Sequence, residues 1–287
     1  MGTSRAEMPD DLTEIQASYT AWKTKDSSAT RKSLFTALEA YHGDPTNDTV
    51  RAYAELLGRV LQDGRNQEAF NVSHAALKHF EPAAAAIPKL YLETRYIAAV
   101  SAFNYNQNSD AILELATVEA LTGMTRGPDG GRPAWATKLY WQAQAWQGAM
   151  MAFYRSTDRA YPSQAKIDEI FNQVGYSRET SRLRRQSKVS ELPFCEGQLI
   201  RRPQIRFPQR ANLRGTYGAV IVQFDLDTTG HVSAPEMLAA VPFDEFEDEV
   251  LKAVARWRWK ADDRTAVNKT CRLSRENLVQ QVIFLFE

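Results

Sequence analysis

The sequence predicts an α+β protein of two domains, an all-helical array of hairpins followed by a β-β-α-β domain built on a small antiparallel sheet. Three observations carry this. Residues 10 to about 176 place apolar side chains at helical spacing between breaks of Gly, Pro and Asn. From Gly215 the apolar period drops to two. Between them the composition turns basic. The expected boundaries are a helical domain over 10–176, a basic linker over 177–200 and a sheet domain over 201–287.

The helices expected in order are Asp11–Lys25, Ala29–Tyr41, Thr46–Leu61, Asn66–Phe80, Ala83–Asn104, Ser109–Leu121, Ala134–Tyr154 and Pro162–Val174. Residues 43–48, 62–66 and 127–133 have turn chemistry, with Gly supplying conformations closed to other residues. Short connections between helices favour antiparallel neighbours stacked side by side. The stretch Tyr53–Pro82 resembles a tetratricopeptide repeat. Leu57-Gly58 stands at the Leu-Gly of its first helix, Gly64 at the turn, Glu68-Ala69 and Ala76-Leu77 in the second helix, and Pro82 at the exit. Small residues at Gly58, Ala69 and Ala76 are expected to let the two helices approach closely. The first helix is one residue short of the usual spacing and the exit proline one late. A weaker copy runs through Ala98-Ala99 and Asp110-Ala111. The resemblance implies a concave partner-binding face. Tyr91, Tyr96, Phe103, Tyr105, Trp135, Tyr140, Trp141 and Trp146 either line that face or form core.

Ten arginines and lysines between Arg178 and Arg214 face three glutamates. The strip reads as a solvated linker with salt-bridged ends, or as a surface for anionic lipid or cell-wall polymer.

In the sheet domain, Val220, Val222, Phe224 and Leu226 point one way, and Ile221, Gln223 and Asp225 the other. Asp227 to Gly230 forms a tight turn, and His231–Ala234 begins the return strand. Asp244 with Glu247 three residues on has the form of a capping box. Acids gather at that helix's start and Arg256, Arg258 and Lys260 at its end, complementing the macrodipole. Phe246, Val250, Val254 and Trp257 make its apolar stripe, and Trp257-Arg258-Trp259 is expected to end it. In the last strand Leu278, Gln280, Val282, Phe284 and Phe286 share one face, and Val279, Ile283 and Leu285 the other. One helix over one side of the sheet is the economical packing.

Thirty-five basic and thirty-five acidic residues cancel, so net charge gives no support for nucleic-acid binding. No apolar run of about 18 residues is present to form a membrane span. The first fourteen residues lack the apolar stretch of a secretory signal, which leaves a cytoplasmic protein or one whose leader has been replaced. Cys195 and Cys271 read as free thiols in a reducing compartment and as a disulfide in an oxidising one. His42, His74, His79 and His231 have no metal spacing, so neither metal nor cofactor is expected. No nucleophile elbow, phosphate loop or dinucleotide fingerprint occurs, and no small-molecule substrate is indicated. Asp225, Asp227, Asp262 and Asp263 fall at turns and strand ends, where solvation explains paired carboxylates. The expectation is a protein that is not an enzyme.

The last 85 or so positions resemble the C-terminal domain family of TonB energy transducers. Pro203 through Phe207-Pro208 is similar to the family's Pro-x-Tyr-Pro entry, with Phe for Tyr and two extra residues. Ala211 follows. Gly218-Ala219-Val220 with Val222 and Phe224 matches its first strand, and Asp227 to Gly230 with Val232 its hairpin. Phe243-Asp244 and Ala253-Val254 match its helix, and Trp257-Arg258-Trp259 its Trp-Arg-Phe. The resemblance implies a periplasmic module that binds outer-membrane receptors by adding their extended segment to a sheet edge. That edge is expected on the last strand: Leu278, Val279, Gln280, Gln281, Val282, Ile283, Phe284 and Leu285. The apolar pair Ile283 and Leu285 is expected to pack internally or on a second copy, the latter making a homodimer through the terminal strand. Neither the family's membrane anchor nor its Pro-rich spacer is visible, and the Pro usual after Trp-Arg-Phe is missing. A helical array in place of the spacer implies an adaptor. The alternatives are a structural or self-associating module and a cell-wall-polymer binder.

Overall fold

The computed structural model describes residues 10–178, 197–214, 217–242, 246–261 and 274–285. They fall into two compact units, Met1–Ala111 and Ile112–Glu287. This division does not coincide with the expected boundaries at 176 and 200.

The first unit contains α1 (Asp10–Thr24), α2 (Ser28–Ala40), α3 (Asn47–Gln62), α4 (Asn66–Phe80) and α5 (Pro88–Asn106). Ser27 and Thr46 start α2 and α3 as capping boxes, each hydroxyl accepting from the backbone N–H three residues on. A 3-10 turn, Glu81–Ala83, separates α4 from α5, so the helix expected from Ala83 begins only at Pro88. Proline has no N–H to lose in the first turn of a helix, and it disfavours helical geometry in Ile87 before it. Leu34, Leu38, Tyr53, Leu56, Val72, Ala76 and Phe80 build the core. Ala69 and Ala76 are buried as expected. Gly58 corrects the close-approach argument: it is exposed, and a methyl group there would meet nothing within 4 Å. Asp26, Arg31, Arg59 and Asp63 form a charge network, with Arg31 buried and paired to Asp63.

The second unit holds α6 (Ala111–Met124), α7 (Ala134–Ser156), α8 (Gln164–Gln173), β1 (Gly197–Arg201), α9 (Gln209–Arg214), β2 (Gly218–Leu226), β3 (Val232–Val241), α10 (Glu247–Val254), β4 (Arg258–Ala261) and β5 (Arg275–Phe284). The main sheet is antiparallel, in the order β3-β2-β5, and β1 pairs with β4 in a second sheet. Pro235 is tolerated in β3 because that strand lies at an edge and breaks register there.

Three expectations about this domain's elements need correction. The stripe Phe246, Val250, Val254 and Trp257 is buried as drawn, but α10 ends at Val254. Trp257-Arg258-Trp259 leads into β4, a strand the sequence reading lacked, so it does not end a helix. Arg256 still serves the C-terminus, its Nε donating to the Lys252 carbonyl at 3.0 Å. The domain also has a second helix, α9. Asp244 of the expected capping box lies outside the described residues, as do Phe243, Phe286, Cys195 and Cys271.

The sheet has two covers rather than one. Val220, Val222, Phe224, Ala240, Val282 and Phe284 pack with α10 and Trp257. Ala219, Ile221, Ala239 and Val241 are buried on the opposite face, where α7 packs against β2, β3 and β5. Alternation along a strand sends successive side chains to opposite faces. With both faces covered, β2 is therefore buried almost end to end.

Candidate docking edge

The strand predicted to receive a partner is an edge strand. Among the described residues β5 pairs with β2 alone, from Gly218↔Phe284 to Leu226↔Arg275. Its other side offers backbone N–H and C=O groups with no strand beside them. A groove of about 930 Å³ runs there, between Arg202–Phe207 and Val282–Leu285. The extended entry segment thus forms one wall and β5 the other.

Aromatic packing fixes both walls. Phe284 stacks on Phe246 with centroids 4.4 Å apart, and Phe207 meets both rings edge-on at 5.6 and 5.7 Å. This anchors the Phe207-Pro208 end of the entry segment to the core. The guanidinium of Arg202 stands 5.4 Å from the Trp257 ring centroid. Gly218 has to be glycine for this packing: a Cβ would overlap the Phe246 ring and stand 2.6 Å from the Val241 carbonyl oxygen. Gly230 takes φ +79° in the hairpin, where Asp227 Oδ1 accepts from the N–H groups of Thr229 at 2.8 Å and His231 at 2.9 Å. Asp227 therefore has a structural role. Asp225 does too, accepting from the N–H of Asn277 at 2.7 Å. Pro203 lines the groove, and Pro208 ends the segment one residue before α9.

The side chains of β5 divide as the alternation requires. Val282 and Phe284 are core, with Leu278 partly buried against it. Gln280 is exposed on that face. On the other face Val279 is 40% exposed and Ile283 39% exposed, so α7 leaves both partly uncovered. Leu285 is half-buried. Between them Gln281 is tied to α7, its Nε2 donating to the carbonyls of Gln144 at 3.2 Å and Ala145 at 3.3 Å.

Behind α7 lies a polar cluster that sequence reasoning missed. Glu119 of α6 is fully buried. Its carboxylate accepts from Arg178 Nε at 2.7 Å and Nη2 at 2.6 Å, from Gln144 at 2.8 Å and from Gln147 at 2.9 Å. The carboxylate holds the Arg178 guanidinium above its usual range against the opposing effect of burial. A bidentate arginine with two amides satisfies a buried carboxylate in full. The signal was one of two acids, Glu114 and Glu119, in the apolar run Ala111–Met124, and a basic residue fifty-nine positions on gave no hint of being its partner. Arg178 is thus a tied end of the basic strip. Arg201, Arg202 and Arg206 are exposed. Arg182, Arg184, Arg185 and Lys188 lie outside the described residues, as do Asp262 and Asp263. Tyr140, Trp141, Trp146 and Phe103 are buried and belong to the core, while Tyr91, Tyr96 and Trp135 are half-buried and Tyr105 is exposed.

Among the described residues no group of three or more His, Cys, Asp or Glu is placed to hold a metal ion, and no helix is long and apolar enough to cross a membrane.

A family model, the Gram-negative bacterial TonB protein C-terminal, matches residues 203–276. Over 55 residues the chain is 40% identical to Protein TonB of Yersinia enterocolitica, covering 19% of this chain and 22% of that one. Over 62 residues it is 37% identical to Protein TonB of Salmonella typhimurium, covering 22% and 26%. The chain therefore spans about a quarter of the length of these curated relatives. It is also similar to the solution NMR structure of the Pseudomonas aeruginosa TonB CTD, at 24% identity and TM-score 0.25, over 32% of this chain and 85% of that one. Residues 203–276 form a TonB-like C-terminal domain, preceded in this chain by an all-helical array.

Proposed function

We propose that this chain is a non-catalytic adaptor of the Gram-negative periplasm. Its TonB-like domain receives an extended segment of an outer-membrane transport component as an added strand on β5. Its helical array, read as tetratricopeptide-like, holds a second protein. The observation that carries the reading is that, among the described residues, β5 has a strand on one side only and a groove of about 930 Å³ beside it. Strand addition draws affinity from main-chain hydrogen bonds and specificity from alternate side-chain pockets. The backbone edge and the groove support this reading, and the family likeness of residues 203–276 supports the compartment and the kind of partner.

Titration calorimetry against a panel of extended receptor-segment peptides tests this. Prolines placed in turn from Val279 to Ile283 refine it, because proline removes one backbone donor. Where the lost N–H faces outward, binding is abolished and the melting temperature holds. Where it faces β2, the melting temperature falls. A panel in which nothing binds sinks the adaptor reading. The same edge would accept β5 of a second copy, and light scattering across a concentration series separates a dimer from a monomer with its edge free.

A further inference from the structure

β5 carries two faces that hydrophobicity barely distinguishes. Leu278, Gln280, Val282 and Phe284 comprise three apolar side chains and a glutamine, and so do Val279, Gln281, Ile283 and Leu285. A slip of one residue exchanges the faces of a strand, and register is weakly specified where both faces would suit the core. Slipped by one, β5 would turn Val279, Ile283 and Leu285 toward α10. Only the shape of Phe284, stacked on Phe246, argues against that on the apolar side.

The stronger discrimination is polar. Gln281 faces α7 and donates to two of its carbonyls, at Gln144 and Ala145. A helical carbonyl keeps a second lone pair after its own helix bond, so these acceptors are available. Space for the amide comes from Gly148, where a methyl group would overlap it. Four residues earlier Asn277 takes φ +57°, its N–H donating to Asp225 Oδ1 at 2.7 Å and its Oδ1 accepting from Gln223 Nε2 at 2.8 Å. Slipped one way, the Gln281 amide would take the buried place of Val282 with no partner, which is strongly unfavourable; slipped the other way, it would take the exposed place of Gln280 and lose both bonds to α7.

We propose that Gln281 and Asn277 are positioning residues that select the register of β5 and so fix which backbone groups its outer edge presents. The consequence for docking rests on the adaptor reading, while the register itself does not. Amide cross-peaks between β2 and β5 in the full-length protein read the register directly. The wild type is expected to show the Ala219↔Ile283 and Ile221↔Gln281 pairings. Gln281→Val and Asn277→Ala, and Gly148→Ala acting from the α7 side, are expected to lose those cross-peaks in part to a second set offset by one residue. Native cross-peaks alone in all three variants overturn the proposal. Unfolding of all three overturns it as well, since β5 would then have no second register to occupy. A shifted register with unchanged peptide affinity keeps the register claim and removes its docking consequence. A wild type that binds no peptide removes the adaptor reading and leaves the cross-peaks to decide the rest.

Discussion

Trp257 is 1% exposed and meets Phe224 edge-on with centroids 6.0 Å apart. Truncation to alanine leaves a hole beneath α10, and Trp257→Ala is expected to destabilise the second unit by about 3–5 kcal/mol in denaturant titration. Glu119 makes a different demand. Arg178→Met strands its carboxylate, and the expected loss is about 3 kcal/mol, near the lower end for a broken buried pair because the arginine side chain is 33% exposed. The double variant Glu119→Gln with Arg178→Met is expected to recover part of that loss, which a double-mutant cycle measures. In the first unit His79 bonds Thr49 Oγ1 at 2.8 Å through Nε2, and burial lowers its pKa. The folded state thus binds a proton less readily than the unfolded chain. Stability should hold at neutral pH and fall as pH drops through the unfolded value of about 6.5 toward the depressed folded one. His79→Gln is expected to flatten that slope in melts between pH 7 and pH 5.

At the scale of elements, α7 is the piece whose role was least visible in advance. Its span was legible from the run Ala134–Tyr154, and its ends agree within two residues. That it covers a sheet some seventy residues further on was not legible, because periodicity marks an apolar face and does not say what meets it. The clue was the pair Ile283 and Leu285, an apolar face of the last strand left over after α10 was assigned and expected to pack internally or on a second copy. β4 was hidden for a related reason. Trp257 continues the α10 stripe in spacing, and helix and strand assignments cannot be separated over four residues. Strand alternation in β2 and β5, the Asp227–Gly230 turn and the α10 stripe were all readable, since each rests on a local period or a turn residue. The groove was half readable: β5 was placed, but its second wall at Arg202–Phe207 depends on the chain doubling back. Gly148 lets α7 sit close to Gln281. Gly148→Val is expected to cost about 1–3 kcal/mol by overpacking, with loss of hydrogen-exchange protection concentrated in β5.

For the whole molecule, the division at Ala111 and Ile112 assigns α6, α7 and α8 to the same compact unit as the sheet. A fragment spanning Ile112–Glu287 is therefore expected to melt cooperatively. One spanning Gly197–Glu287 lacks the cover for Ala219, Ile221, Ala239 and Val241, and is expected to bind a hydrophobic dye and melt at lower temperature. Equal melting temperatures for the two fragments would show that α7 adds nothing to the sheet.

Because α7 precedes every described strand, a ribosome delivers this cover before the surface that needs it. Each β segment emerging afterwards meets a finished template, so the nascent sheet need not present its greasier side to neighbouring polypeptides in a crowded cell. Gln281, in the last of the described strands, reaches its place after α7 is made.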